Sequence, residues 1–501
     1  MSLHAQLSPE AEAALLKQQR NTTITSIIIS ILSCILLLLI LLFWWLKPIA
    51  PFKEDFVTYK GDLPEPPSRE KPTFNRPVQH KPSRPSAHLN KVIISNIRSN
   101  IAIPVIDIDT PTPSTDLGSG DDFGQGMDEG TGIGSPGFRP LPYTIRKRCS
   151  EANRIDLITQ NGGNAQCETA VVNTLRWLQK TQNPDGSWTS DRKVSMTAFA
   201  LLTFLGHCET PDSEEFGDAV TKAISYLVNV GMKNNGKLAD DIKDKHWPYE
   251  HAIATYALAE ATTFCISLDI PFPRLMETTK AAGDWILEHQ HTSGAWDYAY
   301  DMSGKRGGDT SIALWHIQAL KACKHTGLWE NSTFRDCIKK SLSYLKGKQG
   351  PDGGVGYASP SPSGEAGFTM TGGAMLAYQM WGKSHDSVVR KGARYIKKNA
   401  RLDYHTADAD LYRHYYHVQA MMHRGGDDWR AYNTLFRDQL LANQNADGSY
   451  KNVGGGSKVK AVAPTYQGVS VTATHYRTCL ATLMLETYYR FLPATGKNAI
   501  H

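Results

Sequence analysis

Three stretches of this chain carry polar and aromatic side chains of the kind that hold or transform a ligand, each at the front of an apolar segment. Trp247, Tyr249, Glu250 and His251 precede one; Gly308, Asp309 and Thr310 precede the next; Tyr412, Arg413, His414, Tyr415 and Tyr416 precede a third. Aromatics with one arginine, two histidines and two carboxylates would make a polar-aromatic basin for a sugar, a peptide or a polar lipid. Glu250 beside His251 is a candidate general acid/base pair, with a surface turn as the plainer alternative. Asp309 reads equally as an N-cap whose side chain accepts from the backbone N–H groups that follow it. Tyr415 and Tyr416 read as core. So do His316 and His475, which stand inside apolar segments.

Other chemistries find no residues to carry them. The eight cysteines include no CxxC pair, which argues against a zinc ribbon or a thioredoxin-like redox site, and neither metal nor cofactor is expected. Cys149 and Cys167 flank the start of the globular part. They could bridge in an oxidising compartment, with buried free thiols as the simpler reading. A net charge of +5 with 21% charged residues leaves no strongly basic domain, and nucleic acid is not an expected partner.

The elements that must position the candidates repeat. Trp177-Leu178 leads to Gln182 and closes on Asp185-Gly186-Ser187-Trp188; Trp285-Ile286 leads to Gln290 and Gly294-Ala295-Trp296. Tyr344-Leu345 leads to Gln349 and Asp352-Gly353-Gly354, and Gln444 precedes Asp447-Gly448-Ser449-Tyr450. Degenerate copies stand at Tyr226-Leu227 with Gly236 and at Tyr395-Ile396 with Asn399. This makes six units of roughly 45–60 residues. Each unit reads as an amphipathic helix followed by one that is apolar nearly all round: Met196–Leu205, Ala252–Ala261, Ile312–Cys323, Met370–Trp381, Tyr415–Met422 and Val471–Leu485. Helices without a polar face must be covered on both sides, which an inner ring of six wrapped by six others achieves. Glycine at the turns supplies positive φ, and the glutamine amide can satisfy orphan backbone groups there.

These Gln…Gly-x-Trp units resemble the QW motifs of squalene-hopene cyclases and the related repeats of protein prenyltransferases, from Glu151 to about Pro493. The resemblance implies an all-α fold, an (α/α)6 toroid of six helix pairs braced by Gln182, Trp188, Gln290, Trp296, Gln349, Gln444 and Tyr450. It implies little about activity. The Asp-x-Asp-Asp acid of the cyclases is absent, with Asp408-Ala-Asp410 the nearest approach; Asp309 is followed by Thr310 and Ser311, without the thiol of a prenyltransferase zinc site. The thioester sequence Cys-Gly-Glu-Gln of complement-type toroids is absent too. The expected function is a ligand-binding or scaffold module. The alternative is an enzyme of the toroid class, squalene-cyclase-like or a polysaccharide hydrolase or lyase, without the usual acid. Because a closed toroid brings all inner-helix starts to one end, Asp309, Glu250, His251, Arg413 and Tyr412 are expected to line one central basin. Helix N-termini converging there would favour a small anionic ligand, with a saccharide or polar lipid as further candidates.

Ahead of the toroid, assigned to residues 141–493, stand a short tail (1–23) and an uncharged stretch at 24–46, ITSIIISILSCILLLLILLFWWL. At about 1.5 Å per residue the stretch reaches roughly 34 Å, enough for one transmembrane helix. A proline-rich basic stalk (47–113) and a Gly/Asp-rich flexible tether (114–140) form a long disordered linker, and residues 494–501 are a tail. Within the stalk, residues 91–108 alternate β-branched and polar side chains, and read either as a strand offered to a partner or as linker without a fold. Tail, span, stalk and C-terminal domain resemble energy-coupling proteins of the TonB type in organisation. That resemblance implies a single-pass protein of the inner (cytoplasmic) membrane, a periplasmic toroid and an inner-membrane complex as partner. The flanking charges, Lys17 and Arg20 against Lys47, Lys53 and Lys60, lean the other way.

Overall fold

The computed structural model describes residues 143–490 except 304, 331, 358–359, 361–364, 407 and 453–469. The expected N-terminal tail, transmembrane span, stalk with its 91–108 segment, tether and C-terminal tail all lie outside the described residues. Among the described residues no helix is long and apolar enough to cross a membrane.

Six helices bury nearly every side chain: α4 (Lys193–Gly206), α6 (Trp247–Ser267), α8 (Thr310–Thr326), α10 (Glu365–Met380), α12 (Leu411–Arg424) and α14 (Val471–Leu485). In α8 burial is unbroken from Thr310 through Cys323. Each touches the next, and α14 touches α4, so the six close into a ring. Around it stand α3 (Ala165–Thr181), α5 (Gly217–Lys233), α7 (Leu275–Glu288), α9 (Arg335–Gly347), α11 (Ser387–Asn399) and α13 (Gly426–Ala442). These bury one stripe only, as α11 does with Val388, Val389, Gly392, Ala393 and Ile396. The described part is thus all-helical and has the expected ring of six helix pairs. Among the described residues, extended pairing is confined to isolated bridges at Trp296 with Asp309, Gln349 with Val355 and Gln444 with Tyr450.

The repeat turns do more than end helices. The Gln182 amide donates to Gly186 O at 3.0 Å and to Ala219 O at 3.0 Å, the latter on the outer helix of the next unit. Gln290 likewise reaches Gly294 O (3.0 Å) and Cys337 O (2.9 Å), and Gln349 reaches Gly353 O (3.0 Å) and Val388 O (3.0 Å). Gln444 bonds Gly448 O at 3.2 Å and Ala170 O at 2.7 Å, tying the last unit to the first. The turn glycines are required twice over. Gly186, Gly294, Gly353 and Gly448 have φ of 86°, 95°, 100° and 94°. A Cβ there would also stand 2.2–2.4 Å from a carbonyl oxygen of the adjoining outer helix. The indoles of Trp188 and Trp296 then donate back to Leu178 O (2.9 Å) and Ile286 O (2.8 Å), locking each turn to its own unit.

The end of the ring where the inner helices finish is covered by α1 (Tyr143–Arg148), α2 (Glu151–Gln160) and α15 (Thr487–Arg490). Glu260 pairs there with Arg148 and, at 2.7 Å, with Arg490. Glu168 pairs with Arg154 (2.7 Å) and His207 (3.1 Å), and His207 also meets Glu209 at 2.7 Å. Cys149 is bonded to Cys208, not to Cys167 and not free. The reason is directional: Cys208 follows α4 with φ 75°, which turns it toward the α1–α2 link, whereas Cys167 is buried in the first turn of α3 against Asn164.

Candidate functional site

Helices α6 and α12 start at Trp247 and Leu411, so the candidate residues lie on first turns rather than ahead of them. On a helix successive side chains fan out by about 100°, and neighbours in sequence part company. Trp247 and His251, four apart, both face outward: the indole lies 5.9 Å from Trp285 and 4.6 Å from Tyr300. His251 Nδ1 accepts from Leu238 N (3.0 Å) and Nε2 donates to Ala282 O (3.1 Å). Burial lowers its pKa to about 3, so it is a neutral, satisfied core residue. Glu250 turns toward α4, where it accepts from Arg192 (3.0 Å) and Asp240 N (2.9 Å). Burial, then the nearby Asp240, push its carboxyl up to about 7 against the pull of Arg192.

On α12, His414 Nδ1 accepts from Tyr432 OH (2.6 Å) and Nε2 donates to Asp408 O (2.9 Å); burial lowers it to about 4. Arg413 lies 3.9 Å from Asp410 and within electrostatic reach of Tyr395 and Tyr432, on the side of α11 and α13. The expected single basin is therefore corrected. Glu250, His251, Arg413, His414 and Trp247 are directed elsewhere by helical phase, and Glu250 with His251 is not an acid/base pair. His316 and His475 are core as expected, hydrogen-bonded to Ile312 O (2.8 Å) and Met196 O (2.9 Å).

Tyr249, Asp309 and Tyr412 do converge. Asp309 Oδ1 caps α8 by accepting from Ile312 N (3.0 Å), so the cap reading holds. The same oxygen accepts from Ser311 Oγ (2.8 Å) and Tyr249 OH (3.4 Å), while Oδ2 accepts from Tyr357 OH and from Arg306 at 3.2 Å. Tyr298 OH lies 3.2 Å from Tyr357 OH and 3.4 Å from Tyr249 OH. Burial, then the Asp309 carboxylate, push the Tyr249 and Tyr357 hydroxyls well above the ordinary range, so both stay protonated donors. Tyr412 stands close enough to Asp309 to feel its charge, while its ring packs 6.3 Å from Trp315 and 5.3 Å from Tyr416.

Carboxylates and hydroxyls already occupy the converging helix starts. Asp240 accepts from Val194 N (3.1 Å) at α4, Asp410 from Arg413 N (3.3 Å) at α12 and Ser470 from Ala473 N (3.1 Å) at α14, with Asp309 at α8. The partial positive charge counted on for an anionic ligand is thus largely matched from within the chain.

Below this mouth the axis is filled. Phe199 of α4 lies 5.6 Å from Trp315 of α8 and 5.1 Å from Tyr476 of α14. Trp315 in turn stacks on Tyr415 of α12 at 5.6 Å and meets Tyr416 at 5.7 Å. Helices α4, α8 and α12 alternate around the ring, so their side chains meet only by crossing its centre. None of these five is more than 3% exposed. A separate cavity of about 640 Å³ lies on the outer face, between α5 and the α6–α7 link; it is lined by Val228, Met232, Phe272 and Arg274 among others, and by none of the candidate residues.

Sequence reasoning missed Arg306, Asp297, Tyr298, Phe199 and Trp315. The bridge between Trp296 and Asp309 was the hidden signal: it sets Asp297 beside Asp309 across the loop that carries Arg306. Among the described residues no group of three His, Cys, Asp or Glu side chains could hold a metal ion.

No family model and no curated protein matches the chain. Among solved structures it is similar to the type II terpene cyclase MstE from Scytonema in complex with geranylgeranyl dihydroxybenzoate, at 12% identity over 65% of this chain and 97% of that one, with a TM-score of 0.45. A second structure of MstE, with merosterolic acid A, matches at 10% identity, 68% and 99% coverage and a TM-score of 0.45. A protein from Actinoplanes matches at 12% identity, 64% and 99% coverage and a TM-score of 0.42.

Proposed function

We propose that the toroid is a ligand-binding or scaffold module and not a polyene cyclase, that residues 24–46 anchor it to a membrane, and that it stands on the oxidising, extracytoplasmic side. The observation that carries the first part is the axis crossed by Phe199, Trp315 and Tyr415, which occupy the space a polyene would need. Supporting it, Glu250, His251 and His414 are committed to hydrogen bonds that brace neighbouring elements, which removes them as proton donors to a ligand. The Cys149–Cys208 disulfide supports the compartment, since such bonds persist where thiols are not kept reduced. An energy-coupled inner-membrane complex remains the partner the chain's layout suggests.

The test is turnover. The full chain in detergent is incubated with squalene and with geranylgeranyl substrates, and the extract is analysed by gas chromatography and mass spectrometry. Unchanged substrate is the expected result; a cyclised product that needs the folded chain would overturn the reading.

A further inference from the structure

Arg306 is an exposed residue with a buried destination. Its side chain is 52% exposed, yet Nε lies 3.3 Å from Asp297 Oδ1 and Nη2 3.2 Å from Asp309 Oδ2, carboxylates whose side chains are 3% and 0% exposed. The guanidinium also lies over the Tyr298 ring, 4.8 Å from its centroid. Two carboxylates facing one planar cation above an aromatic ring is the arrangement by which proteins recognise guanidinium groups. We infer that Asp297, Asp309 and Tyr298 form a binding site for an arginine side chain of a partner polypeptide, and that the chain's own Arg306 occupies it in the free protein.

A contrast in how the two sides are held points to an exchangeable occupant. The carboxylates are held by the rigid frame: Asp309 caps α8, Asp297 accepts from Tyr298 N at 2.8 Å, and the bridge between Trp296 and Asp309 joins them. Arg306 instead sits before Gly307 and Gly308, both with positive φ (73° and 97°), and a Cβ on Gly307 would meet nothing within 4 Å. The site is distinct from the axis, and the inference holds whether or not the toroid is catalytic.

An internal occupant lowers the apparent affinity for an external one by the fraction of time it is bound, so removing it must tighten binding. The test uses the full chain in detergent and a blocked Gly-Arg-Gly peptide, with the same peptide carrying neutral citrulline as the control, titrated by calorimetry. Arg306→Ala should bind the arginine peptide about tenfold or more tightly than the unsubstituted chain, and the citrulline peptide should not bind. Adding Asp297→Asn to Arg306→Ala should abolish the gain. The arginine peptide should also raise the melting temperature of Arg306→Ala. Arg306→Gln, which keeps a side chain over Tyr298, gives the same reading should the alanine variant fail to fold. Equal binding of arginine and citrulline peptides, or no tightening in a variant whose circular dichroism is unchanged, would overturn the proposal.

Discussion

At the scale of single residues, the buried carboxyls differ in what they need. Glu260 is ionised between Arg148 and Arg490, which hold its pKa down despite burial. Glu486 is driven well above the ordinary range by burial against the pull of Arg490, whose Nη1 stands 3.9 Å away without a hydrogen bond, so burial favours its neutral form. Glu260→Gln should therefore cost about 3–5 kcal/mol of stability, the scale for leaving buried charges unmatched. Glu486→Gln should stay within about 1 kcal/mol. Denaturant melts of the two variants check the contrast. The pH dependence follows from the same groups. Glu250, raised from 4.5 to about 7, contributes stability that is full below its unfolded pKa and is lost as pH rises toward 7. For His207, burial lowers the pKa but hydrogen bonds to Glu168 and Glu209 outweigh it; its contribution is full below 6.5 and lost as pH rises through its folded value. Glu260 and Glu168, both lowered, contribute above 4.5 and lose that contribution as pH falls. Thermal melts should thus be most stable at about pH 5, and Glu250→Gln should flatten the decline toward neutrality.

At the scale of elements, the glutamine turns are the joints between units. Gln444→Ala removes the amide that bonds Gly448, Ala170 and Thr174 and joins the ends of the ring. It should cost about 1–3 kcal/mol, the scale of buried groups left unpaired. Asn399→Ala, in the degenerate copy whose amide bonds only Tyr395 O at 2.8 Å on its own helix, should cost within about 0.5 kcal/mol. Calorimetric melts of both variants test this. The joints were legible because glycine, glutamine and aromatic recur at fixed offsets, and each inner helix was legible because it lacks a polar face. What the sequence hides is azimuth. Trp247, Tyr249, Glu250 and His251 are one cluster on paper and three directions on α6. Ring closure hides the rest: Phe199 and Trp315 meet across the axis although no spacing announces it, and Asp297 is set beside Asp309 by the bridge between Trp296 and Asp309.

At the scale of the whole molecule, one covalent bond and a filled centre define what the toroid can do. The Cys149–Cys208 bond spans a separation of 59 residues and fastens α1 and α2 over the end where the inner helices finish. Removing it with Cys149→Ser and Cys208→Ser together should lower stability by about 2–4 kcal/mol, read as a lower melting temperature that reducing agent does not lower further. The filled axis is the central claim, and retained small molecules test it most directly. Native mass spectrometry of the full chain, released from mild detergent after purification, should give the mass of the polypeptide with its disulfide and no stoichiometric isoprenoid. An isoprenoid bound one to one, lost when the chain is unfolded, would contradict the account and return the toroid to the cyclases.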